Sequence, residues 1–179
     1  MKNKYVFLGI LSLVLFCIVG CKQNKTEPVV ETHQSDSKEL RSVLINGDSI
    51  HYIDVGKGEP VVLVHGSIGD YTSWAFQVDT FATKHRVIAY SRRYATPNNQ
   101  NYPDSADFSV VPHAKDLATL IKTLNLGSVH LVGHSWGAFT ALKTTIDHPE
   151  LVKSLTLGEP PVQSLIKNTK LGDSLLNNL

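Results

Sequence analysis

The chain has 179 residues, of which 42% are hydrophobic and 18% charged, and its formal net charge is +1. This composition fits one globular domain and excludes a disordered or collagen-like chain. The lysines and arginines are scattered, so no basic stripe faces a phosphate backbone, and we expect no nucleic-acid partner. No G-x-G-x-x-G sequence follows a predicted strand, which leaves a dinucleotide cofactor without support.

The N-terminal residues have the features of a secretory signal. Lys2 and Lys4 precede an apolar stretch, residues 5–19, and a small residue stands before Cys21. The stretch is short for a membrane-spanning helix, which needs about 20 apolar residues. Its ending, IVGC, resembles a bacterial lipoprotein signal, in which the leader is removed before the cysteine and the cysteine receives lipid. We therefore expect a signal over residues 1–20 and a lipid anchor at Cys21 that places the protein in the cell envelope.

The alternative is an uncleaved N-terminal anchor with incidental cysteines. If the leader is removed, Cys17 leaves with it, and Cys21 is the only mature cysteine. An intramolecular disulfide is then impossible. Residues 21–40 are polar, with few side chains to bury, and are predicted to form a flexible tether.

From residue 41, short apolar runs alternate with helical periodicity. The runs LRSVLI and SIHYIDV flank an Asn-Gly turn signal and predict a β-hairpin. The continuous apolar runs PVVLVHG and HRVIAY are typical of strands buried on both faces of a parallel sheet. A helix ending near Thr83 is predicted between them.

The second half of the chain continues the same alternation. Residues 95–110 are rich in Asn, Pro and Ser and predict a loop, and a helix is expected from about Ser105. The apolar residues of that helix recur at spacings of three and four: Ala114, Leu117, Ala118, Ile121 and Leu124. GSVHLVG predicts a strand, a helix follows from Ser135 to about His148, and VKSLTLGE predicts a further strand. This order predicts an α/β domain with crossover helices on a mostly parallel sheet.

Ser135 stands in the run Gly-His-Ser-Trp-Gly, directly after a predicted strand and before a predicted helix. The chain turns sharply at such a junction, which strains the serine and exposes its hydroxyl above the sheet. Gly133 and Gly137 are expected because larger residues would collide across the turn. A tight turn without chemistry is the alternative, but the strand before and the helix after favour a nucleophile.

The segment 41–163 resembles the first part of an α/β-hydrolase fold protein. The stretches that carry the resemblance match that superfamily in order and spacing: VVLVHGSIGDYTSW, VIAYSRRYATPN, VHLVGHSWGAFTAL and HPELVKSLTLGEPP. The YSRRYATPN stretch departs from the commoner pattern, which has an aspartate before the arginine and a glycine-rich turn after it. It resembles a subset of esterase-like or lactonase-like members.

The resemblance implies roles for residues at matching positions. Ser135 matches the nucleophile, and the backbone N–H groups of Ser67 and Trp136 match the two donors of the oxyanion hole. Fixed N–H groups stabilise the negative charge that develops on the carbonyl oxygen when a hydroxyl attacks an acyl carbon. Trp136 also opens a helix, whose dipole acts in the same direction. No metal or cofactor is expected.

Neighbouring polar residues are expected to have supporting roles. His134 is predicted to form a wall of the pocket, and by resemblance His65 supports the oxyanion loop. Arg92 and Arg93 either bind an anionic substrate or tie loops together, and the second interpretation is favoured because such pairs are usually structural. The other histidines of the domain are expected to be structural or exposed: His51, His85, His113 and His130.

The resemblance also implies an acid and then a histidine after the serine. The only later histidine is His148, thirteen residues along the helix, which puts it about 20 Å away and out of reach. Glu159 is either the acid or a structural carboxylate at a strand end.

Residues 41–179 are too few for the full sheet that the resemblance implies: residues 41–161 correspond to the N-terminal part of the hydrolase domain, and residues 162–179 resemble the start of a helical cap. We therefore expect an inactive fragment of a longer hydrolase, without the C-terminal strands and most of the cap.

These features predict a serine hydrolase that cleaves ester, lactone or similar acyl bonds of a small-molecule substrate through an acyl-enzyme. Two alternatives remain open. One is a non-catalytic binding module on the same fold, and the other is a different chemistry, haloperoxidase-like or C–C bond hydrolysis. The oligomeric state is also left open.

The predicted signal over residues 1–20 has a testable consequence for the N-terminus of the mature protein. Mass spectrometry of the membrane fraction should find a mature protein that begins at a lipid-modified Cys21, because the charge, apolar core and small residue stand in the order that processing requires. A Cys21→Ala variant should be lost from the membrane fraction, whereas Cys17→Ala should be retained. An N-terminus that still carries Met1, or membrane retention of Cys21→Ala, would contradict the lipoprotein interpretation.

Overall fold

The computed structural model describes residues 38–98 and 101–161. The predicted signal, nearly all of the predicted tether and the predicted cap segment 162–179 lie outside the described residues. Within the two described ranges, the helices are too short and too polar to cross a bilayer. These ranges form a six-stranded sheet with three α-helices.

The sheet begins with the predicted hairpin. Strand β1 (Arg41–Ile45) pairs antiparallel with β2 (Asp48–Val55), and Ile45 faces Asp48 across the turn. Asn46 and Gly47 occupy the turn with φ of 48° and 92°. A two-residue hairpin turn with positive φ at both positions favours this Asn-Gly pair, so the turn signal in the sequence placed the hairpin correctly.

Four further strands complete the sheet: β3 (Glu59–Val64), β4 (His85–Tyr90), β5 (Val129–His134) and β6 (Val152–Gly158). The strand order is β1-β2-β4-β3-β5-β6. β2 pairs antiparallel with β4, and the remaining pairs, β4 with β3, β3 with β5 and β5 with β6, are parallel. The predicted fold class, an α/β domain with a mostly parallel sheet, is confirmed.

The helices connect the parallel strands. α1 (Ala75–Ala82) follows a short 3₁₀ turn and leads to β4, and α2 (Val110–Thr123) leads to β5. α3 (Trp136–Asp147) starts at the end of β5 and leads through a second 3₁₀ turn to β6. The prediction of a helix from about Ser105 was wrong by five residues.

The late start of α2 has a local cause. The Ser109 side chain accepts a hydrogen bond from the Val111 N–H at 3.3 Å, so it is the N-cap of the helix. The Asp107 side chain in turn accepts from the Ser109 N–H at 2.8 Å and fixes the preceding turn. These two side chains satisfy backbone donors outside the helix, and periodicity alone does not register them.

The core lies on both faces of the sheet. One face of the sheet packs on α2 and α3 through a cluster that includes Val62, Val64, Ile88, Leu117, Leu131 and Ala141. The other packs on α1 through a smaller cluster that includes Val61, Leu63, Val78, Val87 and Ala89. Because alternate residues of β3 and β4 enter opposite clusters, both strands are continuous apolar runs, as predicted.

Parallel pairing brings the carboxyl ends of β3, β4, β5 and β6 to the same edge of the sheet. Ligands of open α/β sheets bind beyond this edge. Ser135 and the segment after Val64 both lie there.

Candidate active site

The backbone of Ser135 is strained. It has φ of 52° and ψ of −123°, although positive φ is uncommon for a residue with a side chain. Two hydrogen bonds fix this conformation: the Ser135 N–H donates to the Gly158 carbonyl at 2.7 Å, and its carbonyl accepts from the Phe139 N–H at 3.1 Å. Strand β6 and the first turn of α3 therefore set the direction of the serine together.

The glycines on either side of the serine are required by close packing. A Cβ on Gly137 would lie 2.2 Å from the Val64 carbonyl oxygen, and one on Gly133 would lie 2.6 Å from the Gly137 carbonyl oxygen. Real Cβ atoms do not approach backbone this closely. The sharp turn thus lets the start of α3 contact β3 directly, as the sequence pattern predicted for these two positions.

The loop after β3, residues 65–69 and here called the oxyanion loop, runs beside the serine. A Cβ built on Gly66 would lie 3.3 Å from the Ser135 Cβ. The Ser67 N–H donates to no acceptor among the described residues. The Trp136 N–H is the first of α3 and has no acceptor within the helix. The two predicted oxyanion donors are therefore unpaired backbone groups near the serine hydroxyl.

A cleft of about 870 Å³ opens at this edge of the sheet. Its lining combines the ends of β5 and β6 with the oxyanion loop and the start of α1: His65, Gly66, Ser67, Ile68, Gly69, Ser73, Trp74, Gln77, Val132, Gly133, His134, Ser135, Thr156, Leu157 and Gly158. Among these described lining residues there is no lysine, arginine, aspartate or glutamate. The described lining is therefore largely apolar, and its polar groups are hydroxyl, amide and imidazole groups.

His65 is buried at the base of the oxyanion loop and has both ring nitrogens engaged. Its Nδ1 donates to the Gly66 carbonyl at 2.7 Å, and its Nε2 accepts from the Arg92 N–H at 2.9 Å. Burial, and then the positive charge of Arg92, lowers the pKa of His65 to about 4. His65 is therefore neutral at pH 7 and supports the loop, as the resemblance implied.

The adjacent arginines tie segments together. The Arg92 side chain donates to the carbonyl oxygens of His65 at 3.0 Å and Gly66 at 2.7 Å. Arg93 forms a two-bond ion pair with the buried carboxylate of Asp116 on α2. This is the structural role that was favoured for the pair over substrate binding.

No histidine in the described ranges forms a hydrogen bond with the Ser135 hydroxyl. His134 follows the prediction of a cleft wall, and its side chain is 57% exposed. His148 lies at the far end of α3, 3.5 Å from a carboxylate oxygen of Glu150, and lines a separate cavity. Neither histidine is placed as a general base.

Glu159 directly follows β6 and therefore lies at the same edge as Ser135. Its side chain is 89% exposed, and its Oε2 lies 3.9 Å from Nε2 of His134. Its φ of 53° is a second strained backbone angle beside the serine turn. Glu159 therefore lies at the cleft edge. The histidine near it, His134, forms no hydrogen bond with the Ser135 hydroxyl.

The remaining histidines have structural contacts that the sequence did not reveal. His51 bonds to the Asn98 side chain at 2.9 Å. His130 bonds to Ser154 at 2.6 Å and to Glu59 at 3.1 Å, at the opposite end of the sheet. No cluster of possible metal ligands is found in the described ranges.

A protein-family model described as the alpha/beta hydrolase fold matches residues 59–176. A 2-hydroxy-6-oxo-6-(2'-aminophenyl)hexa-2,4-dienoic acid hydrolase of Metapseudomonas resinovorans is 33% identical over 142 residues, which cover 75% of this chain and 46% of that protein. An (E)-2-((N-methylformamido)methylene)succinate hydrolase of Acinetobacter baylyi is 32% identical over 114 residues, 64% of this chain and 42% of that one.

Among solved structures, an epoxide hydrolase of Vigna radiata superposes with a TM-score of 0.62 at 28% identity, over 66% of this chain and 39% of its own. The chain therefore spans less than half the length of each of these three relatives.

The packing at Gly137 predicts the effect of adding one methyl group. Gly137→Ala should lower the free energy of unfolding by about 2 kcal/mol or more, because the new Cβ meets strand backbone that has no room to move. Gly158→Ala is the matched control, since the nearest atom to its Cβ would be 3.5 Å away. Urea unfolding followed by circular dichroism measures both. Equal losses in the two variants would contradict the close contact between α3 and β3.

The buried histidines predict a pH dependence of stability. Burial and the charges of Arg92 and Arg93 lower the pKa of His113 to about 3, and that of His65 is about 4. Below about pH 6.5 the unfolded chain binds protons that the folded chain does not. The free energy of unfolding should therefore fall as the pH is lowered from 6.5 to 4.5, by up to about 1.4 kcal/mol per pH unit for each histidine.

The control for this pH dependence is His113→Gln, which removes one of the two buried imidazoles. Urea unfolding at several pH values should show a shallower pH slope for the variant than for the unsubstituted chain. Identical slopes would mean that His113 is protonated equally in the folded and unfolded states.

Proposed function

The chain belongs to the α/β-hydrolase fold family, and from this premise we propose that it carries the nucleophile of a serine hydrolase acting on esters, lactones or similar acyl bonds. The observation that supports this most is the strained Ser135 at the mouth of a cleft, with two unpaired N–H groups beside it. A strained serine between a strand and a helix is typical of a nucleophile elbow.

The proposed reaction begins with attack of the Ser135 hydroxyl on the acyl carbon. A bond forms between Oγ and that carbon, the hydroxyl proton leaves to a base, and negative charge develops on the carbonyl oxygen. The N–H groups of Ser67 and Trp136 stabilise that charge. Collapse of the intermediate expels the alcohol, which takes up a proton, and water then hydrolyses the acyl-enzyme.

A serine at this position favours acyl substrates over epoxides. Attack of a serine oxygen on an epoxide carbon would give an ether, which water does not cleave under mild conditions, so the enzyme would stop after one turnover. An acyl-serine is an ester and can be hydrolysed. The activity named for the Vigna radiata relative is therefore not part of the proposal.

The general base is proposed to come from outside the described residues. In those ranges no histidine bonds to Ser135, and the sequence has no histidine after His148. The relatives described above are more than twice as long as the matched segment. Glu159 is proposed as the acid that orients such a base, because it lies at the cleft edge and is exposed. On this proposal the 179-residue chain alone has little activity.

The lining of the cleft also bears on the substrate. Its apolar side chains include Ile68, Trp74 and Leu157, and it offers no cationic side chain in the described part of the protein. An uncharged acyl substrate fits this lining better than a carboxylate. The proposed lipid anchor at Cys21 would keep the enzyme at a membrane, where apolar esters are abundant.

A second candidate is hydrolysis of a C–C bond next to a carbonyl group. It is favoured by the Metapseudomonas resinovorans relative, a dienoic acid hydrolase, which matches a larger share of this chain than the Acinetobacter baylyi relative does. The two candidates differ in the charge of the substrate. Preference for a neutral ester over a carboxylate-bearing ketone would support the first, and the opposite preference the second.

The proposed absence of a base predicts weak turnover. The 179-residue chain should hydrolyse p-nitrophenyl acetate little faster than a Ser135→Ala variant, because a general base contributes about 10²–10⁴-fold. Imidazole added as an external base should raise the rate of the unsubstituted chain above that of Ser135→Ala. The rate of Ser135→Ala with imidazole measures the hydrolysis that imidazole causes by itself. Ser154→Ala, at the other end of the sheet, should behave as the unsubstituted chain.

Two outcomes would overturn this proposal. Rapid turnover that depends on Ser135 without added imidazole would show that a base lies within these residues. An imidazole effect of equal size in the chain and in Ser135→Ala would show that Ser135 is not the nucleophile.

A further inference from the structure

Arg92 is a buried cation without a carboxylate partner. The residue is 4% exposed, and it forms no ion pair with any carboxylate in residues 38–98 and 101–161. Other arginines of the domain are paired, Arg86 with Asp54 and Arg93 with Asp116. Burying a guanidinium group without a counter-charge is unfavourable. The buried charge of Arg92 must therefore be stabilised by other interactions.

The guanidinium group faces backbone carbonyls of the oxyanion loop. Its Nε donates to the His65 carbonyl at 3.0 Å, and its Nη2 donates to the Gly66 carbonyl at 2.7 Å. Its Nη1 lies 3.4 Å from Nδ1 of His113. Because the pKa of His113 is lowered to about 3, this imidazole is neutral and does not repel the arginine.

The Gly66 carbonyl is the convergence point of these contacts. It accepts from Arg92 Nη2 at 2.7 Å, from His65 Nδ1 at 2.7 Å and from the Gly69 N–H at 3.4 Å. This carbonyl and the Ser67 N–H belong to the same peptide group. Since the peptide bond is planar and conjugated, the charge-assisted bond from Arg92 and the bond from His65 fix the plane and strengthen the N–H as a donor.

We infer that Arg92 is a positioning residue for the reaction at Ser135: through the Gly66 carbonyl it orients and polarises the Ser67 N–H. The inference rests on the proposed function of Ser135. The arrangement is set before substrate binds, so no reorganisation is needed during the reaction.

The test uses an alkyl fluorophosphonate, whose reaction with serine requires the same oxyanion stabilisation. The Ser135 Oγ forms a bond to phosphorus, the P–F bond breaks, fluoride leaves, and the hydroxyl proton passes to water. Labelling of the 179-residue chain is followed by mass spectrometry of the peptide that contains Ser135. Because labelling is irreversible, it can be measured without turnover.

Arg92→Met should lower the labelling rate constant by about 10-fold or more, since complete removal of one oxyanion donor costs about 10²–10³-fold and Arg92 acts on one of two. Arg92→Lys keeps the charge but loses the two-carbonyl contact, so its rate should be intermediate. Arg86→Met is the matched control: it removes an arginine at the opposite end of β4, and its labelling rate should not change.

A second readout does not depend on reactivity. The amide resonance of Ser67 in ¹H–¹⁵N spectra should shift in both Arg92 variants, because the nitrogen shift responds to hydrogen bonding at the preceding carbonyl, and it should stay in place in Arg86→Met. Thermal unfolding establishes which variants are folded. If Arg92→Met fails to fold, Arg92→Lys carries the test.

The possible outcomes distinguish the inference about Arg92 from the proposed role of Ser135 as the nucleophile. Labelling that persists in Ser135→Ala would overturn the proposed function and the catalytic part of the inference. Labelling that depends on Ser135 but is unchanged in a folded Arg92 variant would overturn the inference alone, and so would an unmoved Ser67 resonance.

Discussion

The contact between the start of α3 and strand β3 is the constraint on which the site depends. The helix reaches the strand only because Gly137 has no side chain, and it starts at that place only because Ser135 adopts a strained backbone angle. The carbonyl of Gly158 on β6 bonds to the Ser135 N–H. Three neighbouring strands, β3, β5 and β6, therefore determine where one hydroxyl lies, and the parallel register between them fixes that position.

Charge is distributed unequally between the two ends of the sheet. At the amino ends of the strands, Glu59 bonds to Lys153 and His130, and these hydrogen bonds lower the pKa of Glu59 to about 2. At the carboxyl ends, the imidazole of His65 is neutral, and the cleft lining has no lysine, arginine, aspartate or glutamate among the described residues. On the proposed function, the fixed N–H dipoles beside Ser135 stabilise the negative charge that develops on the substrate.

The sequence predicted the elements and the elbow well, because these depend on local patterns. Apolar runs located the strands, the Asn-Gly pair located the hairpin, and glycines around Ser135 located the turn. The start of α2 was missed because Ser109 and Asp107 act through hydrogen bonds to the backbone, which hydrophobic periodicity does not report. The hydrogen bond from the Ser135 N–H to the Gly158 carbonyl was missed for a different reason. It joins the end of β5 to β6, and which strands are neighbours in the sheet is not visible in local sequence patterns.

The role of Arg92 could have been suspected from topology. It follows the end of β4 by two residues, His65 follows the end of β3 by one, and adjacent parallel strands bring their ends together. Hydrogen bonds to carbonyl groups leave no residue pattern, however, so the sequence offered no means to distinguish Arg92 from Arg93. The structure separates them by their partners, since only Arg93 is neutralised by a carboxylate.

On the proposed function, the groups that place the serine and stabilise the oxyanion lie within the described residues, whereas the general base does not. The strained turn, the unpaired N–H groups and the buried cation are all positioned by strands β3 to β6 and by α3. On this proposal, a general base approaches the partly buried Ser135 from the cleft. Its arrival would not require any of these groups to move, because each is already fixed by backbone contacts. Oxyanion stabilisation and proton transfer can therefore reside in different segments of a chain and be measured separately.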